Sequence, residues 1–185
     1  MHLALIHKQF GGKGGLEKYL ATFAAKLLEA GHELDVLTSR VGEGAPAATI
    51  HEIPAFPILR SRRLQHFDSA VGRRLSELNV DFALGFGQTT HQDVHRAGGG
   101  CHAVYSRGLP LHKRLTPKNQ VELRLERELY TSGRTKHFVV NASKVADEIV
   151  EEYHVDRERI TVIHTPVDAN TSVSYTHLRA HETPI

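Results

Sequence analysis

The chain has 185 residues, 40% hydrophobic and 24% charged, which excludes a disordered polymer and suits one full domain better than two. Lys plus Arg number 23 against 21 Asp plus Glu, a formal charge of +2; that balance gives no case for a nucleic-acid partner, and the single cysteine, Cys101, excludes an internal disulfide framework or a multi-cysteine metal site. The apolar run at the N-terminus is far too short for a secretory signal, and no window nears the roughly 20 apolar residues of a spanning helix, so the sequence predicts a cytoplasmic protein, at most attached to a membrane surface.

In chain order, Leu3 to Ile6 reads as a buried strand. The loop Gly11-Gly12-Lys13-Gly14-Gly15 follows, then a helix with Leu16, Leu20, Phe23, Leu27 and Leu28 on one face. Gly31 stands where a helix C-terminal glycine belongs, and Leu34 to Leu37 resumes extended character, completing a βαβ unit. Thr49 to Ile53 alternates like a strand and is closed by Pro54. Leu64, Phe67, Val71, Leu75 and Leu78 recur at helical spacing. Val80 to Phe86 is a further buried strand, and His102 to Tyr105 a candidate for another. Pro117 to Tyr130 predicts a charged helix with Val121, Leu125 and Leu129 inward. Phe138 to Val140 reads as strand, Ser143 to Tyr153 as a helix with Ser143 as N-cap, and Ile160 to Ile163 as strand. This alternation predicts an α/β fold: a Rossmann-like parallel sheet with helices on both faces. From about Val173 the sequence loses any sustained apolar period. Residues 169–185 are expected to be a linker remnant and an artefactual tail, with a natural disordered terminus as the alternative.

The glycine loop is the first candidate site. A helix N-terminus offers unpaired N–H groups and partial positive charge to a phosphate, and Gly14 and Gly15 would let it approach closely. The loop fits neither G-x-G-x-x-G, because Glu17 takes the last position, nor the P-loop; a flexible turn is the plain alternative. The 14 histidines include His91 and His95, four apart, but Gln92 stands where a zincin needs Glu, and both are expected at the surface. His102, after three glycines, faces either a site or the core. Asp93 is read as lying in the loop beyond the Val80–Phe86 strand, where ligands bind in open α/β sheets. There it orients a sugar hydroxyl or takes its proton, or else caps a turn. Arg107, Lys113, Arg114, Lys118, Arg124 and Arg127, interleaved with Leu109, Leu111, Leu115 and Val121, suit either an anionic membrane surface or a solvated helix face.

Together these pieces resemble the N-terminal half of a GT-B glycosyltransferase of family 4. Gly14-Gly15-Leu16-Glu17 matches that family's Gly-Gly-x-Glu, and Ala30 to Thr38 resembles its second strand. Asn141 to Lys144, Arg159 to Ile163 and Pro166-Val167-Asp168 resemble the approach to its second domain. Gly85-Phe86, Gln92 to His102 and Leu125-Glu126-Arg127 are similar to the subgroup of lipopolysaccharide-core glucosyltransferases that add the first hexose to inner-core heptose.

The resemblance implies a retaining transfer of a hexose, glucose, from a nucleotide sugar, UDP-glucose, to a glycolipid acceptor, with no metal or other cofactor required. It implies that Gly14 and Gly15 lie near the donor diphosphate, that Asp93 and His102 are catalytic, and that Arg107, Lys113, Arg114 and Lys118 face the cytoplasmic side of the inner membrane. Residues 1–168 would form the acceptor-side domain. The donor domain, with its E-x7-E motif, would be absent and the fragment inactive alone. Thr165-Pro166 departs from the family's Asn-Gly. Two other expectations stand beside this one: a free-standing nucleotide-binding or regulatory module, and a metallohydrolase using His91, Asp93 and His95.

Overall fold

The computed structural model describes residues 1–54 and 60–165. In chain order it holds β1 (His2–Ile6), β2 (Gln9–Phe10), α1 (Gly15–Glu29), β3 (Glu33–Thr38), β4 (Arg40–Val41), β5 (Thr49–Glu52), α2 (Arg60–Glu77), β6 (Phe82–Gly85), β7 (Val94–Ala97), α3 (His102–Arg107), α4 (Leu111–Arg114), α5 (Pro117–Thr131), β8 (His137–Val140), α6 (Ser143–Tyr153), a 3-10 turn (Arg157–Arg159) and β9 (Ile160–Val162).

Seven strands form one parallel sheet in the order β5-β3-β1-β6-β7-β8-β9. The predicted α/β Rossmann-like class is therefore observed. Strand order reverses between β1 and β6, and Ile6 pairs with both Leu37 and Gly85, so these strands end together at one edge. Successive β1 residues serve opposite faces. Leu3 and Leu5 pack with Leu20 and Ala24 of α1, while Ala4 and Ile6 pack with Phe67 and Val71 of α2. Leu5 and Ile6 are wholly buried, each worth about 1.5–3 kcal/mol relative to exposure. A third cluster joins β7, β8 and β9 to α5 and α6 through Phe138, Val140, Leu129 and Ile149.

Local chemistry sets the ends of the elements. At the close of α1, Gly31 adopts φ +80°, and the Gly31 and His32 N–H groups turn back onto the Leu28 and Leu27 carbonyls, as a C-terminal glycine allows. Helix α5 starts at Thr116, whose hydroxyl accepts the Asn119 N–H, with Pro117 in the first turn. At α6 the N-cap is Ala142, not Ser143, which is already helical.

Two segments correct the sequence reading. His102 to Tyr105 is helix, not strand, because an apolar run this short carries no decisive period and acceptors are waiting for its first N–H groups. His102 and Ala103 donate to the Glu126 carboxylate at 2.5 and 2.8 Å. The missing strand is β7, whose Val94-His95-Arg96-Ala97 hides strand character behind two polar residues. The β6–β7 connection has no helix. Instead, Thr90 anchors it to α2 through its N–H, 2.7 Å from the buried Asp68 carboxylate. The small parallel pair β2–β4 was also not anticipated.

Candidate functional site

Ligands of open parallel sheets bind beyond the strands' carboxyl ends, where strand order reverses. Here that point is the space after Ile6 and Gly85. His7 follows β1 directly. Its ring is mostly buried, Nδ1 has no hydrogen-bond partner, and burial pulls its pKa below 6.5 against an opposing pull from Glu17. A side chain on Gly87 would press on this ring, since an added Cβ would lie 3.3 Å from Nδ1.

A cleft of about 510 Å³ continues from Gly87 and Gln88 past Arg96 and Gly98–Cys101 to His102 and Glu126. It runs on through Phe86, Arg96, Gly98 and Gly99 into a smaller hollow of about 290 Å³ that reaches Gly15, Leu16 and Tyr19 at the start of α1. The Arg96 guanidinium stacks 4.1 Å over Tyr19 and donates to Thr165 Oγ1 at 2.9 Å, holding the two walls together. Asn141, after β8, donates from Nδ2 to the Gly98 carbonyl at 3.0 Å, while its buried Oδ1 has no partner.

The N-terminus of α1 has no side-chain cap hydrogen bond at its N-cap. Its N-cap, Gly14, supplies no side-chain acceptor, so the first N–H groups lack the usual hydroxyl or carboxylate from that position. Glu17 lies across Gly14 so closely that a Cβ there would overlap its carboxylate, whereas a Cβ at Gly15 would meet nothing within 4 Å. The loop's backbone demands fall elsewhere, on Gly11 (φ +77°) and Gly12 (φ +126°). The N-terminus of α3 is by contrast occupied by Glu126, which also accepts the Tyr153 hydroxyl at 2.6 Å. Burial and these carboxylates push the Tyr153 phenol far up. The Cys101 thiol is raised to about 12, chiefly by burial, so it is no nucleophile at neutral pH.

Gly14, Gly15 and His102 thus share the carboxyl edge. His102 lies at the far end of the cleft, its Nε2 2.8 Å from Asn119 Oδ1 and 3.4 Å from Glu122 Oε2. Asp93 does not join them. It immediately precedes β7, at the sheet's amino edge, where Oδ2 accepts the Ala83 N–H at 3.0 Å and Oδ1 faces Lys136 at 3.5 Å. The loop after β6 runs back across the sheet before reaching it, so the placement beyond a strand's carboxyl end is corrected.

The histidine cluster also separates. His91 packs on Gly72 and sits 3.7 Å from Asp68. His95 is buried rather than at the surface, and its pKa falls to about 4 through burial and the nearby Arg96. Among the described residues no group of three or more His, Cys, Asp or Glu is arranged to hold a metal.

Of the basic residues, Lys113 and Arg114 are exposed on α4 beside exposed Leu111, Leu115 and Tyr105, and Arg107 pairs with Glu152. Lys118 belongs to a different face, 3.2 Å from Glu122. Among the described residues no helix is long and apolar enough to cross a membrane. Pro166, Val167, Asp168 and the tail lie outside the described residues. Sequence reasoning missed His7, Arg96 and Asn141 as site residues; only their positions directly after or within strands could have signalled them.

Comparison with known proteins adds the family. The profile of Glycosyltransferase Family 4 matches residues 13–171. The chain belongs to glycosyltransferase family 4. Among solved structures it is similar to WaaG, a glycosyltransferase involved in lipopolysaccharide biosynthesis, with a TM-score of 0.80 at 20% identity over 97% of this chain and 52% of that one. It is also similar to the lipopolysaccharide outer core galactosyltransferase WaaB (TM-score 0.56, 10% identity, 91% and 46% covered). A glycosyltransferase from Rickettsia africae gives 0.55 at 11% identity, covering 100% and 50%. The chain therefore spans about half the length of these solved structures, and at such identities the likeness establishes the GT-B half-fold. No curated protein sequence matches it.

Proposed function

We propose that the chain is the acceptor-side half of a retaining glycosyltransferase that moves glucose from UDP-glucose to a lipopolysaccharide-core or related glycolipid. The observation that carries this reading is the carboxyl-edge cleft, open at one end to the uncapped N-terminus of α1 and closed at the other by His102. An anion seated at Gly14 and Gly15, on the Gly15 side away from the Glu17 carboxylate, gains about 0.3–1 kcal/mol from the helix dipole alone, and the uncapped N–H groups add donors aimed at it. Transfer places negative charge on the leaving diphosphate, and fixed donors at that position favour the transition state over the ground state. His102, its ring held by Asn119, contacts the transferred hexose from the opposite end. The remaining phosphate contacts belong to the second domain of the full-length enzyme, so residues 1–165 alone bind without turnover.

Access to a lipid-linked acceptor comes from the exposed Tyr105, Leu111 and Leu115, flanked by Arg107, Lys113 and Arg114. These present apolar and basic groups together to an anionic leaflet on the cytoplasmic face of the inner membrane. The test is transfer of labelled glucose from UDP-glucose to a truncated lipopolysaccharide acceptor by the full-length enzyme. Gly15→Val should lower it at least a hundredfold without unfolding the protein, because the added side chain enters the cleft. Transfer should persist in EDTA. Wild-type rates in Gly15→Val would remove the cleft from the mechanism, and abolition by EDTA would require a metal.

A further inference from the structure

The carboxyl edge does not end at the cleft. On its other side, over the ends of β1 and β3, a separate cavity of about 390 Å³ is lined by Lys8, Ser39, Arg63, His66, Lys118 and Glu122. Lys8 follows β1 by two residues, Ser39 follows β3, and the Ser39 N–H bonds the Lys8 carbonyl at 3.1 Å, which fixes the two loops to each other. Arg63 and His66 come from the first turns of α2, Lys118 and Glu122 from the first turns of α5. Buried Leu64 and Phe67 form an apolar part of the wall. Lys8 and Lys118 thus share one carboxylate, Glu122, in a concave, partly apolar space. That arrangement focuses positive potential and favours an anion.

The carboxylate is shared with the cleft. Glu122 Oε1 lies 3.2 Å from Lys118 Nζ, and Oε2 lies 3.4 Å from His102 Nε2. The cavity is therefore joined by one side chain to the residue at the end of the transfer cleft. The electrostatics of the two lysines point the same way. Lys8 is exposed as a whole residue, yet the protein around its ammonium lowers its pKa from 10.5, an effect Glu122 opposes and Lys118 reinforces. A bound anion would relieve the repulsion between the two ammonium groups.

We infer that this cavity binds an anionic substituent of the acceptor sugar, a phosphate or a carboxylate, with Lys8 and Lys118 as its direct partners. The inference rests on reading the chain as the acceptor half. It adds that the acceptor is charged close to its reacting hydroxyl and is selected for that charge. A neutral sugar would leave the lysines with only Glu122 between them. Lys8 and Lys118 are thus specificity residues and take no part in the bond-making step.

The experiment is calorimetric titration of the 185-residue chain with glucose 6-phosphate, inorganic phosphate and glucose, beside flotation with phosphatidylglycerol vesicles. Glucose 6-phosphate should bind saturably at one site and glucose should not. Lys8→Gln/Lys118→Gln should weaken binding about tenfold or more, as loss of charge-assisted hydrogen bonds predicts. Lys8→Arg/Lys118→Arg should recover most of it, and Lys26→Gln, on the exposed side of α1, should change nothing. Circular dichroism checks that each variant is folded.

Absence of saturable binding, or binding indifferent to the double Gln variant, would overturn the site. Inorganic phosphate binding as tightly as the sugar phosphate would overturn the acceptor assignment, since the sugar would then add no contact. Loss of vesicle binding in the double variant, with glucose 6-phosphate unaffected, would make the lysines a lipid contact and overturn it equally. Binding is read without turnover, so its failure leaves the transferase reading standing, and a failed transfer assay leaves the anion site standing.

Discussion

At the amino end of the parallel sheet, Asp81 accepts the His2 N–H at 2.8 Å, Asp35 sits between the rings of His2 and His51, and Asp93 accepts the Ala83 N–H while facing Lys136. At the carboxyl end, His7 Nδ1 and Asn141 Oδ1 are buried without partners, α1 begins on a glycine with no side-chain cap, and Gly98, Gly99 and Gly100 lie exposed. The two ends are built from the same strands, and among the described residues both buried side-chain atoms without a partner fall at the carboxyl end. Buried polar groups normally find partners, so these two atoms, beside exposed backbone, mark the carboxyl end as the candidate binding end. One end is tied by charged and hydrogen-bonded side chains, and the other carries the candidate cleft.

The contrast can be broken by substitution. Its largest effect should come from Asp35→Ala, which leaves His2, His51 and Arg74 around an empty buried position. Two histidine hydrogen bonds to one carboxylate are lost, and Arg74 Nε, which donates to His51 Nδ1 at 3.2 Å, loses the ring's anchor, so denaturant unfolding should show about 2–4 kcal/mol less stability. A loss below about 1 kcal/mol would mean this end is no clamp.

His95, on the floor of the cleft, should give the next largest effect. Its pKa is depressed to about 4, so the unfolded chain binds a proton that the folded chain refuses. Its contribution to stability is present above pH 6.5 and is lost as pH falls toward 4. Between pH 7 and pH 5 the wild type should lose roughly 2 kcal/mol that His95→Gln does not. Equal pH slopes in the two proteins would contradict the assignment.

Asp93→Ala should cost about 1–2 kcal/mol, the loss of an acceptor for a part-buried N–H. The smallest effect belongs to His2. Desolvation lowers its pKa, but the hydrogen bonds to Asp35 and the Asn79 carbonyl outweigh this and leave it raised above 6.5. Its stabilisation is therefore complete below pH 6.5 and fades as pH rises through the folded value, opposite in sign to His95. Stability differences between wild type and His2→Ala, measured across pH 5–8, should shrink upward; a difference that grows with pH would reverse the assignment.

Strands rich in apolar residues announced themselves in the sequence. Leu3 to Ile6 and Leu34 to Leu37 are buried on both faces, so composition alone marks them. Strand β7 was illegible because its alternation is carried by His95 and Arg96, whose polarity suggests a loop while their packing makes a strand. That one miss moved Asp93 to the wrong edge, since a residue between two parallel strands lies at either end depending on where the second begins. The glycine loop was legible as a site, yet not the division of labour within it: Gly11 and Gly12 carry the positive φ angles, and Gly15 carries the open space. His7 and Asn141 gave no pattern, because an unsatisfied atom is a property of the assembled fold.

The most direct measurement is the initial rate of glucose transfer from UDP-glucose by full-length enzyme carrying either Gly15→Val or Asp93→Ala, each confirmed folded. A working carboxyl edge and a structural amino edge predict that Gly15→Val loses at least a hundredfold and Asp93→Ala stays within about threefold of wild type. An inactive Asp93→Ala beside an active Gly15→Val would place the chemistry at the opposite end of the sheet and contradict the account.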